Sequence, residues 1–105
     1  MGLFSKSDAN KNGEITVDCG DILDIAKVTE FHQQLKTALG KGGAVVLDAA
    51  ELTRIDVTSL QLCTAFFNDA AARKVTAKWR SPSDSLIQSA ALLGLSQQLG
   101  LPDVN

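Results

Sequence analysis

The chain has 105 residues, 45% hydrophobic and 21% charged, with a formal net charge of −2. That length holds one compact domain able to bury a real core without staples. The ten basic residues are scattered without a stripe, which argues against nucleic acid or an anionic bilayer as the main partner. No apolar run approaches the ~20 residues needed to cross a bilayer.

Residues 1–13 are small and polar and read as a flexible tail and turn, residues 14–100 as the domain, and residues 101–105 as a C-terminal tail. Met1-Gly2-Leu3-Phe4-Ser5-Lys6 lacks an apolar signal core, and Lys6 stands where myristoylation requires Ser or Thr. Asp8-Ala9-Asn10-Lys11-Asn12-Gly13-Glu14-Ile15 matches the start of a calcium-binding loop. Cys19 occupies the position of that loop's bidentate Glu, and an incoming helix is not expected before Asp8, so the segment reads as a turn.

Glu14-Ile15-Thr16-Val17-Asp18-Cys19 alternates as a strand, Gly20-Asp21 is a turn signal, and Ile22-Leu23 reads as a short returning strand. From about Ala26 the period becomes helical, with Val28, Phe31, Leu35, Ala38 and Leu39 on one side and Gly40 as the C-terminal stop. Ala44-Val45-Val46-Leu47, ending at Asp48, has the unbroken apolar character of a central strand covered on both faces. Asp56 caps a second helix, on which Leu60, Cys63, Phe67 and Ala70 form a stripe widened by Leu62 and Phe66. Arg73-Lys74 end it. Val75-Thr76-Ala77-Lys78-Trp79 reads as a strand, and Ser81-Pro82-Ser83 opens a third helix with Pro82 at its start. Leu86, Ala90 and Leu93 form that helix's seam, flanked by Ile87, and Gly94 stops it; a short helical piece follows near 96–99. Strands alternating with crossover helices require an α/β fold with a mostly parallel sheet and helices packed on it.

Motifs for catalysis and cofactors are weak. Gly40-Lys41-Gly42-Gly43 precedes a strand and lacks the spacing of a phosphate loop. His32 is the single histidine, Cys19 and Cys63 are not spaced as a metal pair, and no nucleophile elbow is present. Two buried reduced thiols suit a cytoplasmic protein. Trp79 is expected to pack at the sheet end, with partner anchoring as its alternative. The expectation is a chain with no catalytic residues, metal or cofactor.

What remains is the stretch from Asp48 to Leu60. A buried strand ends at Asp48, a loop carries Leu52 and Ile55 inward, and a capped helix starts at Asp56 with Thr58 and Ser59 in its first turn. Those hydroxyls either satisfy free amides at the helix end or accept a phosphate, whose charge of about −1.5 to −2 would meet the helix dipole and disrupt a docked partner. Both readings stand at this point.

Val45-Val46-Leu47-Asp48, Leu52 and Ile55-Asp56-Val57-Thr58-Ser59-Leu60 resemble the STAS domain family of bacterial anti-sigma factor antagonists. Gly20-Asp21-Ile22-Leu23-Asp24-Ile25 and Ala91-Leu92-Leu93-Gly94-Leu95 resemble its second-strand and last-helix segments, so the match spans about residues 14–99. The resemblance implies a four- to five-stranded, mixed but mostly parallel sheet with helices on one side and no enzymatic activity. It implies a docking module for an anti-sigma kinase or a chemotaxis protein, bound through Asp56, Val57, Thr58, Ser59, Leu60 and Gln61, as a monomer or weak dimer. Thr58 corresponds to the phosphoacceptor, with Ser59 as its neighbouring candidate and Asp56 as its support. Val57 and Ser59 stand where such regulators carry Ser and Gly, which brings the chain closer to a branch beside chemotaxis genes or to the small cytoplasmic subunit of lipid-asymmetry transporters, bound to the ATPase.

Overall fold

The structure is a computed structural model and describes residues 7–9, 14–41 and 43–102. Its elements are β1 (Ser7–Ala9), β2 (Glu14–Asp18), β3 (Ile22–Leu23), α1 (Val28–Gly40), β4 (Ala44–Asp48), β5 (Arg54–Ile55), α2 (Val57–Ala72), β6 (Thr76–Arg80), α3 (Asp84–Leu92) and α4 (Ser96–Leu99). The main sheet runs β1-β2-β4-β6, with β2, β4 and β6 parallel and β1 antiparallel to β2. The predicted α/β fold with a mostly parallel sheet is therefore what the chain adopts.

Register assigns the two faces. Ile15, Val45 and Ala77 lie side by side, as do Val17, Leu47 and Trp79, and these face the helices. Phe31, Leu35, Ala38 and Leu39 of α1 and Leu60, Cys63, Phe66 and Ala70 of α2 complete the core on that side. The other face carries Glu14, Thr16, Val46, Lys78 and Arg80. Val46 is buried there between Thr16 and Lys78 in register, outside the core cluster. Central strand β4 is thus covered on both faces as expected, but its second cover is not a helix. Glu14 accepts Lys78 Nζ at 3.5 Å and Arg80 at 3.8 Å on that face. Such exposed pairs contribute only ~0–1 kcal/mol each.

Several local readings are corrected. Ser7–Ala9, within the expected tail, forms β1 and pairs Ser7 with Val17 and Ala9 with Ile15. Backbone pairing along a sheet edge needs no apolar alternation, and Ser-Asp-Ala shows none. Residues 10–13, at the heart of the calcium-loop match, lie outside the described residues. Ile22-Leu23 does not return along β2 but pairs in parallel with β5, Leu23 opposite Ile55. Gly20, at φ 72°, and the Asp18 carboxylate accepting its N–H turn the chain off the sheet.

Helix α1 starts at Val28, after a turn in which Asp24 accepts the Ala26 N–H, and it runs through Gly40. The left-handed position falls on Gly43 (φ 82°) instead. Pro82 precedes the α3 cap rather than opening the helix, because Ser83 Oγ accepts the Leu86 N–H. Leu93 leaves the seam: α3 ends at Leu92, Leu95 N–H closes back on Ala90, and Leu93 is exposed. Phe66 takes the core position, while Phe67 is half-buried against Trp79. Among the described residues, no helix is long and apolar enough to cross a membrane.

Candidate functional site

The corner between β5 and α2 is built by three local forces. The inward side chains of Leu52 and Ile55 pull the loop onto the core. Backbone pairing holds it against the β2–α1 connection: Thr53 and Arg54 donate to Asp21 O, and Asp56 N–H donates to Leu23 O at 3.0 Å. Asp56 then caps α2, its extended backbone (φ −92°, ψ 173°) letting Oδ1 accept the Ser59 N–H at 2.8 Å. Such a cap stabilises a helix by ~1 kcal/mol. Asp18, Asp24 and Asp48 do similar work, each accepting an N–H two residues on.

The six expected contact residues share this turn but not one environment. Thr58 and Gln61 are exposed and Val57 is half-exposed. Asp56 is partly buried at the cap. Leu60 is buried, with its side chain flooring a groove rather than standing proud. Ser59 is fully buried, and its hydroxyl has no hydrogen-bond partner among the described residues. Ser59, expected as a phosphoacceptor candidate and contact residue, is thus shut off from solvent, whereas its neighbour Thr58 is exposed. The reason is helical geometry. Ser59 lies four residues before Cys63 and seven before Phe66, on the stripe that faces the core.

Beside this turn, α2 and α3 enclose a groove of about 300 Å³ lined by Ile55, Asp56, Val57, Leu60, Ser89, Leu92 and Leu93. Leu92 is 86% exposed, which is unusual beside an apolar concavity. Sequence reasoning placed neither Leu92 nor Ser89 at the site. The adjacent apolar pair Leu92-Leu93, standing where Gly94 stops the helix, was the available signal.

The remaining candidates lie elsewhere. His32 is exposed on α1, while Cys19 and Cys63 are buried thiols. Burial raises both, Cys63 to about 12, and Cys19 is raised further by Cys63. Neutral thiols in that setting are poor nucleophiles. Among the described residues no three His, Cys, Asp or Glu side chains converge as metal ligands. Trp79 is half-buried and donates its indole N–H to Leu99 O at 2.8 Å. It borders a separate cleft of about 520 Å³ with Phe67, Lys78 and Gln97. The corner itself offers one exposed hydroxyl at a helix N-terminus and an apolar groove.

A search of curated proteins finds no match to the chain. Among solved structures, the anti-sigma factor antagonist SpoIIAA in its unphosphorylated form superposes with a TM-score of 0.71 at 15% identity, covering 94% of this chain and 86% of that one. The NMR structure of the protein TM1081 gives 0.78 at 16% identity, covering 99% and 83%. These likenesses establish the fold. A family model described as "Mlab, STAS domain" matches residues 7–102, nearly the whole chain. With the parallel β2-β4-β6 sheet, its one-sided helices and the capped corner before α2, that match shows that the chain belongs to the STAS domain family.

Proposed function

We propose that this STAS domain is a non-catalytic cytoplasmic docking module, which binds a kinase-type regulator, either an anti-sigma factor or a chemotaxis protein, through the β5–α2 corner. Thr58 is the residue on which a phosphate releases the partner. The observation that carries this reading is the pairing of an exposed Thr58 with half-exposed Val57 on the rim of an apolar groove. The likeness to a structure described as an anti-sigma factor antagonist in its unphosphorylated form supports it. A phosphate there would place about −1.5 to −2 charge in the first turn of α2, favourable to the helix but beside Asp56 and in the path of a docked surface.

A second reading, a permanent subunit of a lipid-asymmetry transporter that stabilises its ATPase, is favoured by the exposure of Leu92. Aliphatic surface of that kind suits an interface that stays covered.

Both readings predict that Thr58→Glu and Val57→Asp weaken binding at least about tenfold when the purified chain is titrated calorimetrically against the regulator or the ATPase. The first further predicts that kinase and ATP place phosphate on Thr58, located by peptide mapping, and none on Ser59. Full binding by both variants would overturn docking through the corner; binding lost without any phosphorylation would leave the transporter reading.

A further inference from the structure

Among the described residues, the large aliphatic side chains standing in solvent are Ile25, Val57, Leu92 and Leu93, at 69, 50, 86 and 44% exposure. Three of them border the groove between α2 and α3, whose floor is Ile55 and Leu60. The fourth, Ile25, is not among the residues lining the groove. Ile25 leaves the β3–β5 pairing two residues after Leu23, just as Val57 leaves it two residues after Ile55. Single exposed aliphatics are ordinary, but a set converging on a concavity marks a contact surface.

Charge decides what fits that surface. The connections at the C-terminal ends of the parallel strands, residues 18–27, 48–57 and 80–84, carry seven carboxylates against three bases. The opposite pole, at the start of β2 and the far ends of α1 and α2, carries Lys36, Lys41, Arg73 and Lys74 against Glu14 and Asp69. The domain is therefore polarised along its strands, and the groove opens at the negative end. Asp56 forms part of its rim, and Asp24 leaves β3 alongside Asp56. The carboxylates sit there partly as caps and turn acceptors, but their summed field still attracts cationic surfaces and speeds their encounter. A second copy would bring like charge against like at this pole, and an anionic bilayer would be repelled in the same way.

We propose that the groove between α2 and α3 receives a basic amphipathic helix of the partner protein. Aliphatic residues at helical spacing would seat between Val57 and Leu92, and flanking Lys or Arg would face Asp24 and Asp56, in the helix-in-groove mode of recognition. This inference rests on docking through the corner and adds the chemistry of what docks.

The test is selection from a displayed library of helical peptides of about 16 residues, long enough for a helix to form, against the full chain, with the Leu92→Asp chain as counter-target. Enriched peptides should be net positive, carry aliphatics three and four residues apart, and bind the wild-type chain at least about tenfold tighter than Leu92→Asp or Val57→Asp. Their affinity should fall as salt rises. Thermal melts of both variants close to wild type would show that the fold is intact. Acidic or non-helical binders, binders indifferent to Leu92→Asp, or no enrichment would overturn the proposal. So would self-association of the free chain, or binding to phosphatidylglycerol vesicles, if Leu92→Asp abolished it. The two levels separate cleanly. Partner binding lost on Thr58→Glu but intact on Leu92→Asp removes the groove and keeps the corner, whereas binding intact on both removes the corner as well.

Discussion

Two concave regions share helix α2, and they differ in how their apolar surface is satisfied. The cleft beside β6 is the larger, about 520 Å³ against about 300 Å³ for the groove between α2 and α3. Yet its aromatic wall is settled: the Trp79 indole N–H is bound to Leu99 O, and its ring lies 5.5 Å from that of Phe67. In the groove, Leu92 stands almost wholly in solvent and Leu93 is close to half exposed. Unsatisfied apolar surface, rather than volume, distinguishes a surface made to be covered from one that is part of the packing.

Substitutions on the two sides should therefore behave in opposite ways. Trp79→Ala removes the ring contact and the indole hydrogen bond together. It is expected to lower the unfolding free energy by ~3 kcal/mol in urea titration while leaving partner affinity unchanged. Weaker partner binding with little loss of stability would instead move recognition to the β6 cleft.

Between the two regions α2 turns Cys63 inward, and burial raises its thiol pKa to about 12. Cys19 is raised as well, first by burial and then by Cys63. The native state keeps these protons, whereas unfolded thiols release them near pH ~8.5. Their stabilising effect is thus complete below that pH and is lost as pH rises toward the folded value. Unfolding free energy should fall by about 1.4 kcal/mol per pH unit for each thiol above pH ~8.5. Cys63→Ala should remove one thiol's share, and an unchanged slope would contradict its place in the core.

The smallest stability effect is expected in the groove. Leu92→Ser should change the unfolding free energy by less than about 0.5 kcal/mol in the same titration. A loss comparable to that of Trp79→Ala would make Leu92 a packing residue and erase the contrast.

Periodicity made much of this architecture legible. The unbroken Val45-Val46-Leu47 run marked the central strand, and Asp56 ahead of an apolar stripe marked the start of α2. What escaped depends on contacts between segments distant in the chain. The β3–β5 pair is fixed by backbone groups, Asp21 O and Leu23 O accepting from Thr53, Arg54 and Asp56, and side-chain patterns do not report such bonds. Strand β1 eluded the pattern because an edge can pair through its backbone alone. At the site, the burial of Ser59 was readable from its spacing to Cys63 and Phe66, but its hydroxyl suggested a surface role. The groove was not readable, since it forms only where the end of α3 meets the start of α2.

The most direct test of docking at the corner is a backbone and side-chain NMR titration of the labelled chain with its purified partner. With the partner seated at the corner, the largest shifts are expected on Val57, Thr58, Gln61 and the Leu92 methyl groups, with the Trp79 indole N–H unmoved. Shifts centred on Trp79, Gln97 and Lys78, with the start of α2 silent, would contradict docking there.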